Sequence, residues 1–144
     1  MKKRTPVVFP KTPTGINGLD EVMEGGLPKG RPTLICGSAG CGKTLFAVQF
    51  LAKGISDHNE PGVFMSFEET KEDLAQNVRS LGIDMNKLVD EGKLRVDYVR
   101  IERSEIEETG EYDLEGLFIR LNYAIDSIGA KRVVLDTIEA IFGG

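Results

Sequence analysis

The sequence predicts an α/β fold in which a mainly parallel sheet carries helices on both faces. Three observations point there. Short β-capable runs alternate with stretches of helical periodicity. Val63 to Phe67 is almost unbrokenly apolar, as a strand covered on both faces should be. A glycine-rich octapeptide, Gly37 to Thr44, stands between one such run and a helical stretch.

In chain order, the first thirteen residues hold Lys2, Lys3, Arg4, Lys11 and three prolines, and read as an extended basic arm ahead of a domain over 14–144. A short helix through Met23 precedes a turn from Gly25 to Gly30. Arg31 to Cys36, with branched Thr33 and Ile35, is expected to be the first strand. The next helix starts near Gly42 and ends by His58, because Leu45, Val48, Ala52 and Ile55 share a face. Pro61 and Gly62 punctuate before the second strand, Val63 to Phe67.

Thr70 can cap a helix with the stripe Leu74, Val78 and Leu81, which Gly82 stops. Leu94 to Val99 supplies the third strand, and Arg100 to Glu111 a charged surface loop containing Gly110. Leu114 to Ile128 is the clearest helix, with Leu114, Leu117, Phe118, Leu121, Ile125 and Ile128 on one stripe before Gly129. Arg132 to Asp136 is the fourth strand.

At 144 residues the chain is one domain or a piece of one. A formal charge of −5 gives no general attraction to a nucleic-acid backbone or an anionic membrane, so nucleic acid is an unfavoured partner. No apolar run approaches the ~20 residues that span a bilayer, and a cytoplasmic protein is expected. Cys36 and Cys41 have no second pair or nearby histidine to complete a zinc site. They read as a small filler and a tolerated loop position, with redox sensing as the alternative.

The chemistry concentrates in Gly37-Ser38-Ala39-Gly40-Cys41-Gly42-Lys43-Thr44, a full match to the phosphate-loop pattern G-x-x-x-x-G-K-[ST]. Its glycines let the backbone curl so that successive N–H groups, through Leu45 at the helix start, face phosphate oxygens. Lys43 should reach the β and γ phosphates of ATP, and the Thr44 hydroxyl should ligate magnesium. Asp136 closes an apolar strand on the side where parallel sheets bind ligands, and is the expected Walker B carboxylate for the same ion. Glu68 and Glu69 also follow a strand. An acid there can polarise the attacking water, or can simply complement a helix dipole.

The residues resemble the KaiC-like branch of the RecA superfamily of P-loop ATPases. The likeness runs through Thr14-Gly15-Ile16-Asn17-Gly18-Leu19-Asp20, Gly25-Gly26-Leu27-Pro28-Lys29-Gly30 and the phosphate loop continuing to Leu51. It extends through Glu60 to Phe64, Phe67 to Thr70, Lys87 to Leu94, Arg120 to Ile125 and the Asp136 strand. The resemblance implies a three-layer RecA-like P-loop NTPase fold, Glu68 as general base with Glu69 beside it, and ATP with Mg2+ as ligands. It also implies a homo-oligomer, hexameric in the complete parent, with nucleotide between subunits.

Two-domain members pair an ATPase half with an autokinase half, and this sequence resembles one half only. It departs from the family by stopping at Gly144, just past the Walker B strand, so the sheet is expected to be incomplete at its C-terminal side. One missing strand belongs between the phosphate-loop strand and the Walker B strand. The chain is therefore expected to be a fragment that re-pairs its strands, exchanges segments or associates through an exposed edge. An ATPase with weak turnover is the leading reading. A serine/threonine autokinase, a recombinase-like DNA-binding ATPase and a non-catalytic assembly protein are the alternatives.

Overall fold

A computed structural model describes residues 9–102, 104 and 113–142. The expected arm residues Lys2, Lys3 and Arg4, and most of the expected loop around Gly110, lie outside the described residues.

The fold is organised around one strand. Gly62–Ser66 (β3) is buried at every position. It pairs in parallel with Leu94–Tyr98 (β4) on one side and Arg132–Asp136 (β5) on the other, giving the order β4-β3-β5. Because side chains alternate across a strand, Phe64 and Met65 enter different cores. Phe64 packs with Val48, Leu51, Ile55, Leu74, Val78 and Leu94 on one face. Met65 packs with Phe67, Val99, Leu117 and Ile141 on the other. Helices on both sides of a parallel sheet make the three layers of a RecA-like P-loop fold.

Lys43–His58 (α2) covers the first face. Gly42 enters it at φ 97, a left-handed conformation that glycine adopts without a Cβ clash, and Asn59 closes it at φ 52. Leu51 is fully buried, whereas Ala52 on the expected stripe is only half-buried. Lys71–Val78 (α3) starts as anticipated, with the Thr70 side chain accepting from the Asp73 N–H at 3.2 Å. Leu81 falls beyond it in a 3₁₀ turn and is 40% exposed, so the stripe ends at Val78. Met85–Asp90 (α4), capped by Asp84, was not anticipated: six residues give too few turns for a periodicity, yet Met85 fills the same core.

Leu114–Ile128 (α5) covers the second face through Leu117 and Ala124. Phe118, expected on the buried stripe, is 54% exposed instead, because helix and sheet meet along the line of Leu117, Leu121 and Ala124.

The expected first strand fails. Arg31 to Cys36 forms no strand, and Leu34 is 68% and Ile35 43% exposed. A strand needs a neighbour to satisfy its N–H and C=O groups, and no described strand lies beyond β5 to provide one.

The N-terminal segment is instead tied down by polar bonds. Lys11–Thr12 (β1) pairs antiparallel with Leu27–Pro28 (β2), so pairing begins ahead of Thr14, and the short helix Leu19–Val22 (α1) lies between them in sequence. The Asp20 carboxylate accepts from the Thr14 hydroxyl at 2.7 Å and from the Thr14 and Gly15 amides at 2.8 and 3.0 Å. Burial acts to raise its pKa. The Thr14 and Gly15 hydrogen bonds and the Arg132 charge outweigh that and hold it below the ordinary carboxylate value.

Arg132, only 2% exposed, donates through Nη1 to the carbonyls of Pro13 and Phe50 at 2.8 and 3.0 Å. It also pairs with Glu60 and stacks over the Phe50 ring. Gly54 leaves room for it, since a Cβ there would stand 2.8 Å from Arg132 Cζ.

Candidate functional site

The site forms where β3 and β5 end side by side, with Ser66 in register with Asp136. Beyond that point the chain must leave the sheet, and two bonds from one hydroxyl shape the exit. Buried Ser66 donates through Oγ to the Glu69 carbonyl at 2.6 Å and accepts from the Glu69 N–H at 3.2 Å. The Phe67 N–H reaches the Asp136 carbonyl at 2.9 Å, which extends the β3–β5 pairing one step further.

This turn sends the two glutamates in different directions. The exposed Glu68 accepts a hydrogen bond from the Thr137 hydroxyl at 3.1 Å, so it lies against the end of β5. Glu69 turns toward α3, where Asn77 donates to Oε2 at 3.3 Å. The pair adjacent in sequence is therefore split: one carboxylate sits on the Asp136 side and the other on a helix.

The phosphate loop joins the same place from the opposite direction. The Thr44 hydroxyl donates to Asp136 Oδ2 at 2.7 Å, across 92 positions of sequence. Two consecutive residues at the end of β5 thus touch both partners, Asp136 holding Thr44 and Thr137 holding Glu68. Around the loop, Gly40 stands at φ 78 and the Cys41 N–H bonds the Ser38 carbonyl at 3.3 Å. Lys43 folds back to donate to the carbonyls of Gly37 and Ser38. Gly37, Ser38, Ala39, Gly40 and Cys41 are exposed, whereas the Leu45 side chain packs against the core and leaves only its backbone near the loop.

A hydroxyl and a carboxylate in contact at the foot of a phosphate loop are hard oxygen donors of the kind magnesium takes. No group of three or more His, Cys, Asp or Glu side chains that could cage a metal occurs among the described residues. No helix among the described residues is long and apolar enough to cross a membrane.

Two contributors escaped the sequence reading: Ser66 and Thr137 are ordinary hydroxyl residues whose only signal was proximity to Glu68 and Asp136. Away from the site, at the start of β5, Arg132 looked like the first residue of a strand, and nothing local marked it for burial.

A protein-family model described as "ATPase: KaiC" matches residues 12–143. Among curated proteins, the chain is 63% identical over 134 residues to the circadian clock protein KaiC2 of Synechocystis sp., covering 93% of this chain and 24% of that protein. It is 48% identical over 132 residues to the circadian clock oscillator protein KaiC of Synechococcus elongatus, covering 92% and 25%. It is 46% identical over 134 residues to the protein of the same description from Parathermosynechococcus lividus, covering 93% and 25%. The chain spans about a quarter of the length of these relatives. It belongs to the KaiC family of ATPases.

Proposed function

We propose that this KaiC-family chain binds ATP with magnesium at Gly37 to Leu45 and carries the residues that hydrolyse it. The observation that carries this reading is the 2.7 Å bond between Thr44 and Asp136, which joins the phosphate loop to the end of β5. Lys43 exchanges the loop carbonyls it now engages for phosphate oxygens. Thr44 and Asp136 would hold the magnesium ion, whose charge offsets that of the phosphates. Glu68, kept on the Asp136 side by Thr137, takes the proton of the water that attacks the γ-phosphate, and the γ-phosphate leaves as inorganic phosphate. Glu69, whose carboxylate accepts a hydrogen bond from Asn77, is the neighbouring carboxylate proposed for the same step.

In the complete parent protein we assign residues 14–144 to the N-terminal part of one ATPase domain of a cytoplasmic homo-hexamer. There, basic residues from a neighbouring subunit would raise a turnover that is weak in this chain, since such groups contribute ~10³ to 10⁵ in comparable enzymes. Transfer of the γ-phosphate to a serine or threonine is the competing outcome.

Labelled ATP separates these cases. Lys43→Ala is expected to abolish binding, and unchanged affinity would refute the phosphate-loop assignment. Glu68→Gln is expected to keep binding and lose release of inorganic phosphate. Label retained covalently on the protein would favour the kinase reading.

A further inference from the structure

The turn that carries the two glutamates is held by a hydroxyl to which the proposed reaction gives no part. Ser66 ends β3, a strand that otherwise reads Gly-Val-Phe-Met, and its side chain is buried. Burying a hydroxyl is unfavourable unless its hydrogen-bonding capacity is used. Here a single residue uses it twice. Ser66 Oγ donates to the Glu69 carbonyl at 2.6 Å and accepts from the Glu69 N–H at 3.2 Å, so both backbone groups of Glu69 are tied to the end of the sheet.

The turn is thereby fixed on both sides of Glu68. Before it, the Phe67 N–H is anchored to the Asp136 carbonyl at 2.9 Å. After it, Glu69 leads directly into Thr70, the cap of α3, whose Leu74 and Val78 sit in the core. Glu68 stands between two anchored residues, and the course of its backbone follows from theirs. Two further bonds steady the carboxylates, from Thr137 to Glu68 at 3.1 Å and from Asn77 to Glu69 at 3.3 Å. Both are exposed to water, which competes for them. The Ser66 bonds start from a buried atom and are worth more for that reason.

We infer that Ser66 is a positioning residue for ATP hydrolysis: its hydroxyl sets where Glu68 stands relative to Asp136, and so the reach from that carboxylate to the attacking water. The inference rests on the reading of Glu68 as the base. Ser66 acts through the backbone, and no contact with nucleotide is asked of it. A misplacement of about 1 Å can cost about 10²-fold in rate, so loss of the hydroxyl should appear in kcat. ATP affinity comes from the loop at Gly37 to Leu45 and should not follow.

The test measures release of labelled inorganic phosphate across ATP concentrations, with urea unfolding beside it so that rates are expressed per folded molecule. Ser66→Ala is expected to lower kcat about tenfold to 100-fold and to leave KM within about twofold. Ser66→Thr keeps the hydroxyl on a residue suited to a strand, and should hold kcat within about threefold of the unmodified chain. If Ser66→Ala does not fold, Ser66→Cys takes its place, since a thiol of similar size is only a weak donor, and its kcat should fall while KM holds. Asn77→Ala, which removes an exposed bond, should change kcat less than about twofold. Without ATP, the Glu69 amide should exchange with solvent about fivefold or more faster in Ser66→Ala.

An unchanged kcat in Ser66→Ala, an equal fall in Ser66→Thr, or a rise in KM that accounts for the whole loss would overturn the positioning role. Unchanged exchange at the Glu69 amide would do the same. An unmodified chain that releases no phosphate would sink the reading of the site and this inference with it. An unmodified chain that hydrolyses ATP no faster than Ser66→Ala would sink the inference alone.

Discussion

The two halves of the candidate site are built in opposite ways. The carboxylate half, at the ends of β3 and β5, grows out of a strand buried at every position and paired on both edges. The phosphate-loop half stands on a segment exposed from Gly30 through Cys41, with no strand pairing of its own. One half is positioned by packing. The other depends on the start of α2 and on three specific bonds, one from Thr44 to Asp136 and two from Lys43 to the loop carbonyls.

The sharpest way to break this contrast is to truncate one apolar side chain in each half. Phe64→Ala, at 1% exposure in the centre of β3, is expected to cost about 3–5 kcal/mol in urea unfolding. Leu34→Ala, at 68% exposure, should stay within about 0.5 kcal/mol. Comparable losses from the two would show that residues 31–36 are packed in solution after all.

A smaller effect probes what joins the packed half to the N-terminal segment. Gly54→Ala puts a Cβ against the Arg132 guanidinium and should cost about 1–3 kcal/mol by overpacking. The phosphate loop should be indifferent to it, so ATP affinity per folded molecule should not change.

The smallest effect is one of pH. The Asp20 pKa lies below its unfolded value of about 3.8, so its stabilising bonds are fully present above that pH. They are lost as pH falls through the depressed folded-state value. The Thr14 and Gly15 amides should then lose protection from hydrogen exchange, and protection that persists well below that range would show that Asp20 does not hold this turn.

The same contrast explains what could be read from the residues alone. Gly37 to Thr44 was legible because its chemistry is local: the spacing of glycines and a lysine is the function. β3, β4, β5, α2 and α5 were legible from apolar runs and periodicities that record burial. The strand expected at Arg31 to Cys36 was misread for a related reason. Branched residues record a capacity for pairing, but pairing needs a neighbour, and no sequence window contains one. Phe118 sits on an apolar stripe wider than the line of contact with the sheet, so periodicity could not tell which of its residues turn outward. The split between Glu68 and Glu69 depends on Ser66, Thr137 and Asn77, which meet only after the chain has folded.

The Arg132 guanidinium has a practical bearing on where this chain can be cut. Its Nη1 reaches back to the carbonyl of Pro13, a residue that neither motif nor strand claims. Its Nε already has no partner among the described residues. A shortened version starting at Thr14 would remove that carbonyl and leave a sealed-in cation short of another acceptor, whereas a version that keeps Phe9 onward retains it.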